Sequence, residues 1–137
     1  MNTYEVGQRL VELCSQWKHK QAIEELYADK VDVHEAMDPA AMGADRPEQM
    51  KPNGVQSKAD LLMGCDFFFE CNEIHSGEME GPYPNGDEFV VMSTIDITAK
   101  AGPMAGQRMQ MREATIYKVD NGKIIGSKFC YHFPECM

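Results

Sequence analysis

The sequence predicts an α+β domain with helices packed on one face of a curved antiparallel sheet. Three observations carry that expectation. Apolar residues recur at helical spacing through the first quarter of the chain, and the pattern switches to strict alternation after Glu73. Turn signals, PNGD at Pro84–Asp87 and DNGK at Asp120–Lys123, then divide the alternating part into runs. Helices first and a meander of strands afterwards is the order of an α+β fold.

Val6, Leu10, Leu13, Cys14 and Trp17 mark a first helix from about Thr3 to Trp17. Ala22, Ile23, Leu26 and Tyr27 mark a short second one, and a strand follows over Val31–Ala36. The stretch MDPAAMGADRPEQMKPNGVQ has no period; a loop this long in a small domain is often functional, and an ornamental surface loop is equally open. Ser57 with Asp60 reads as a capping box opening a third helix, which ends near Asn72. Four further strands are expected at Ile74–Gly81, Glu88–Lys100, Arg108–Val119 and Lys123–Phe133.

At 137 residues the chain is read as one domain, spanning 1–137. No apolar run approaches the roughly 20 residues a membrane helix needs, and no signal peptide is visible at MNTYEVGQRL. The five cysteines include no CxxC pair, which favours reduced thiols and a cytoplasmic location. No Cys/His cluster has ligand spacing, so no metal is expected. Net charge is −9, with 22 acids against 13 bases and no basic stripe, which argues against nucleic acid as a partner. No GxGxxG, Walker loop or HExxH is present, and no cofactor is expected.

Parity along the strands sorts side chains onto faces. Met109, Met111, Glu113, Thr115 and Tyr117 share the more apolar face of their strand, opposite Arg108, Gln110 and Arg112. A lone acid among Met and Tyr is desolvated, which raises its pKa unless a cation or donors compensate. Such an acid marks a site, or a structural ion pair such as one with Arg9. The last strand turns Ser127, Phe129, Tyr131 and Phe133 inward, and its neighbour turns Phe89, Val91, Ser93, Ile95 and Ile97 inward. His75 shares parity with Gly77 and Met79, and alternation alone leaves its direction open. Glu35 closes the first strand, facing either the interior or water.

The candidate catalytic residues are therefore Glu35, Glu113, His75 and Tyr131, and the candidate pocket lining is Trp17, Phe69, Phe89, Met109, Met111 and Phe129. Met-rich walls suit adaptable apolar pockets. Outward Val90, Met92, Ala114 and Ile116 add apolar area to the other face, which predicts a homodimer through the sheet.

The LYAD junction at Leu26–Asp29, the SKADLL helix start, NEIHSGEMEGPYPNGDEF and ATIYKVDNGKIIGSKFCY occur in an order that resembles the nuclear transport factor 2-like superfamily. Within it the chain is most similar to the SnoaL-like proteins. The resemblance covers nearly the whole chain. It implies a cone-shaped, cystatin-like α+β barrel with an apolar small-molecule pocket, and commonly a homodimer. In the ketosteroid isomerases of this superfamily an acid matching Glu35 is the general base. Their oxyanion-hole tyrosine would fall near Leu10 or Val11, and their protonated aspartate near Ala114 or Thr115, so this chain departs from that pattern and only Glu113 is adjacent. What the resemblance implies is a cofactor-free isomerase, cyclase or lyase acting by acid/base chemistry; a non-catalytic binder of an apolar ligand and a protein-interaction module are the alternatives.

Overall fold

The computed structural model describes residues 1–36, 53–102 and 104–132. Helix α1 spans Thr3–Ser15 and α2 spans His19–Leu26, followed by β1 at Tyr27–His34, β2 at Gly54–Ser57 and α3 at Lys58–Cys71. Strands β3 (Asn72–Asn85), β4 (Glu88–Ala99), β5 (Arg108–Asp120) and β6 (Lys123–Cys130) complete the chain. The six strands form one sheet in the order β2-β1-β6-β5-β4-β3. Most of the stretch between the first strand and the third helix, and Phe133 at the expected end of the last strand, lie outside the described residues.

Local chemistry explains the element boundaries. Asn2 and Ser57 each cap a helix through a reciprocal box, with Glu5 and Asp60 as the returning side chains. At the β5–β6 turn Asn121 and Gly122 both have positive φ, 51° and 75°, the geometry for which Asn-Gly is suited in two-residue hairpins. At the β3–β4 turn only Gly86 does, with φ 63°.

Two boundaries differ from the sequence reading. Tyr27 begins β1 instead of ending α2, so that strand starts four residues earlier than its Val-rich part. Gln56 and its neighbours form β2, a short edge strand paired antiparallel with β1 from Lys30↔Ser57 to Val33↔Gly54. Its alternation is too brief to be read in a Gly- and Pro-rich context. Strand β1 also runs parallel to β6, with Val33↔Ser127 and His34↔Lys128 in register, so the sheet is antiparallel except at that pairing.

Helix α1 buries Val6, Leu10, Leu13 and Cys14 against Phe89, Val91, Tyr117, Val119 and Ile124 of the sheet, with Ala22 and Leu26 of α2 closing the cluster. Phe89, 0% exposed, stacks on Tyr117 with ring centroids 4.9 Å apart. A second, smaller cluster of Ile97, Ala99, Met104 and Met109 fills the other end. Between the two, Ser93 and Ile95 of β4, Met111 and Glu113 of β5 and Phe129 of β6 share the inner parity yet are only partly buried. Helix α3 carries Leu61, Leu62, Met63, Phe67, Phe68 and Phe69, none of them fully buried. The middle of the inner face is therefore less buried than either end. No helix among the described residues is long and apolar enough to cross a membrane.

Candidate functional site

Glu113 stands in that less buried stretch, directly opposite Ser93 of β4 in register. Desolvation pushes its carboxyl up to about 7, and the nearby Glu35 carboxylate adds to the rise. The Ser93 side chain opposes both by hydrogen-bonding to it. A hydroxyl donating to a carboxylate favours the ionised form, but one neutral hydrogen bond does not offset burial plus a second negative charge. Arg9 is not its partner: that guanidinium bonds Glu25 at 2.7 Å and Glu12 at 3.1 Å on the helices.

Glu35 follows the last residue of β1 and continues the inward parity of Val31 and Val33, both buried. Its backbone N–H donates to Asn53 Oδ1 at 2.7 Å, and its carboxylate accepts the Ala36 N–H at 3.0 Å. These contacts hold the strand end while leaving Glu35 close enough to perturb Glu113. Tyr131 lies just past β6, where it continues the inward parity of Ser127 and Phe129 and is partly buried.

Two polar groups of the interior were not singled out from the sequence. The Tyr117 hydroxyl donates to Tyr27, and burial pushes both phenols above their ordinary range, with Glu113 among the charges acting on Tyr117. The sequence pattern puts Tyr27 at the end of a helix, whereas it begins β1. Its position in a strand, hydrogen-bonded to an inward Tyr117, is a tertiary fact.

His75 belongs elsewhere. The register is Ile74↔Ile97 and then Ser76↔Asp96, so an irregularity at His75 breaks the alternation assumed for β3. Ile74, Gly77 and Met79 consequently face inward, while His75 Nε2 bonds Thr98 Oγ1 at 2.7 Å on the outer side. Asp96 on that side is held by Arg108 through two contacts of 3.0 Å. The direction of His75, left open by alternation, is set by this bulge, because one extra residue reverses parity. Of the expected pocket lining, Phe89 and Met109 are core, 0% and 5% exposed, while Met111 and Phe129 are partly buried on the inner parity beside Glu113. Trp17 and Phe69 line a surface groove of about 930 Å³, together with His19, Cys65, Ile74 and His75. Among the described residues no group of three or more His, Cys, Asp or Glu has the arrangement to hold a metal ion.

The comparisons with known proteins agree with this architecture. The sequence profile of the SnoaL-like domain matches residues 1–131. A crystal structure from Mesorhizobium loti, described as a candidate SnoaL-like polyketide cyclase with carbohydrate phosphatase given as a second description, is 33% identical. It superposes with a TM-score of 0.79 over 96% of this chain and 100% of that one. A nuclear transport factor 2-like protein from Burkholderia thailandensis shares the fold at 16% identity, with a TM-score of 0.69 over 96% and 92% of the two chains. IdmH from Streptomyces antibioticus, a candidate polyketide cyclase, does so at 15% identity, with a TM-score of 0.64 over 96% and 92%. No curated protein matches the chain. By its profile match over nearly its full length, and by its likeness to the Mesorhizobium protein, the chain belongs to the SnoaL-like family.

Proposed function

We propose that the protein binds a small, largely apolar molecule between α3 and the inner face of the sheet and moves a proton on it without a cofactor. The supporting observation is the pair Glu113 and Glu35. One is a buried acid poised near neutrality, and the other is close enough to contribute to that poise. Two carboxyl groups held in different environments divide the roles of acid and base. Glu35 is assigned as the base, Glu113 as the acid that protonates or hydrogen-bonds the developing oxyanion, and Tyr131 as a further donor. His75 is left out because it faces Thr98. The partly buried aliphatic and aromatic side chains of α3, Met111 and Phe129 would supply the apolar walls. The family's candidate polyketide cyclases make a carbonyl compound with acidic α-protons the natural substrate class.

The test is proton exchange. A panel of cyclic ketones and β-dicarbonyl compounds is incubated with the protein in deuterium oxide, and deuterium uptake at the α-carbon is followed by mass spectrometry. Uptake should depend on pH with an inflection near 7 and fall by about 10²-fold or more in Glu35→Gln and Glu113→Gln. Ligand binding without exchange would establish the non-catalytic binder instead.

We further propose that the protein works as a homodimer through the outer face of the sheet. Val90, Met92, Ala114 and Ile116 are each only partly covered there within one chain, among exposed Arg108, Arg112 and Lys118. A two-fold contact would bury them.

A further inference from the structure

The surface groove that holds Trp17 is built with features a simple packing defect would lack. Trp17 adopts a left-handed backbone with φ 62°, unusual for a bulky residue, and this turns its ring out of α1 toward β3. Gly77 of β3 makes room for it: a Cβ there would meet Trp17 Cη2 at 2.8 Å. His19 packs at 5.7 Å from Trp17 and 5.3 Å from Phe69, and Phe69 stands edge-on to Trp17 at 6.3 Å. Trp17 nevertheless remains 44% exposed, so this aromatic cluster presents ring surface to solvent.

Polar groups converge on the same place. The His19 ring nitrogen Nδ1 is buried, and the imidazole hydrogen-bonds to the Trp17 backbone, which holds it against the indole. The groove is bordered by Lys18, Lys20 and Asp66, two cations against one anion, with Lys20 and Asp66 paired at 2.5 Å. That is a local positive excess on a chain whose net charge is −9. Neither Glu35 nor Glu113 lines this groove.

We propose that the groove between the α1–α2 turn, α3 and β3 is a second ligand site, which takes a small aromatic carboxylate. The ring lies against Trp17 and Phe69, and Lys18 attracts the carboxylate. Stacking on an exposed indole fits an aromatic ring better than an aliphatic chain, because the ring quadrupoles add to the area buried. A monoanion fits the charge at the rim, and a dianion would be repelled by the rest of the acidic surface.

Trp17 is the sole tryptophan of the chain, so its fluorescence reports directly on the groove. The probe is 3-phenylpropanoate, with 3-phenylpropanamide and 3-cyclohexylpropanoate as controls for charge and for the aromatic ring. Phenylpropanoate should change the Trp17 emission saturably and bind more tightly than either control. Lys18→Glu, at an exposed position, should weaken it by about threefold or more, as expected for losing an exposed ion pair. Glu113→Gln should bind the probe as wild type does. Absence of a saturable change, equal binding of amide and acid, or loss of binding in Glu113→Gln would each overturn the proposal, the last by placing the probe in the interior.

Discussion

Ser93 and Glu113 face each other across β4 and β5, and the serine donates the hydrogen bond that opposes the rise in the glutamate's pKa. The pair sits between two separately packed clusters, where the inner face is less buried than at either end. Desolvation outweighs the serine's hydrogen bond, so the Glu113 carboxyl stays raised above the ordinary carboxylate range.

Glu113 makes stability depend on pH. A carboxyl whose folded pKa is raised, here from 4.5 to about 7, stabilises the fold while protonated. That contribution is complete below pH 4.5 and is lost as pH rises through about 7. Glu113→Gln, which cannot ionise, should gain on wild type by up to about 3 kcal/mol at alkaline pH, and the gain should nearly vanish in acid. Urea melts of both proteins on either side of the transition check this; a gap independent of pH would show that Glu113 is not desolvated.

Glu35 contributes to the poise of Glu113 through its charge. In Glu35→Gln the Glu113 midpoint should therefore move down toward the ordinary carboxylate range. Ser93→Ala should move it up, since the opposing hydrogen bond is removed. Carbon-detected magnetic resonance of labelled glutamate side chains follows both midpoints, and a Glu113 midpoint unmoved in Glu35→Gln would separate the two acids.

Gly7 tests the seating of α1. A Cβ at this position would come within 2.7 Å of Pro82 Cβ and 3.1 Å of Phe89 Cδ2. Alanine gains about 1 kcal/mol of helix propensity over glycine, while overpacking a filled site costs about 1–3 kcal/mol. Packing should win, because Phe89 is wholly buried and cannot retreat. Gly7→Ala is expected to lower the urea midpoint; a raised midpoint would mean that the helix slides at no cost.

The outer sheet face predicts self-association. Sedimentation of wild type at micromolar concentration should show a dimer, and Ile116→Asp should shift it to monomer by burying two unpaired charges across a two-fold contact. A wild-type monomer under these conditions would remove the proposed interface.

Local signals along the chain suffice for the helices, the hairpins and the inward side of β4, β5 and β6. The reason is local: capping boxes, Asn-Gly turns and two-residue alternation all act within a few residues. The inward placement of Glu113 among Met109, Met111, Thr115 and Tyr117 was legible for the same reason, and so was the resemblance that led to the family. The direction of His75 was not. An irregularity in β3 depends on how Ile74 and Ser76 find Ile97 and Asp96 across the sheet, and nothing in the run NEIHSGEM marks it. The joint use of Glu35 and Glu113 was an expectation from the sequence, but the route that brings them near was not legible, since β1 joins the sheet beside β6, in parallel, close to 100 residues along the chain. Tertiary packing also decided that Phe89 fills the core while Trp17, held in a left-handed turn above Gly77, stays open to solvent. Alternation tells which face a side chain takes, but only the whole set of contacts tells whether that face is filled.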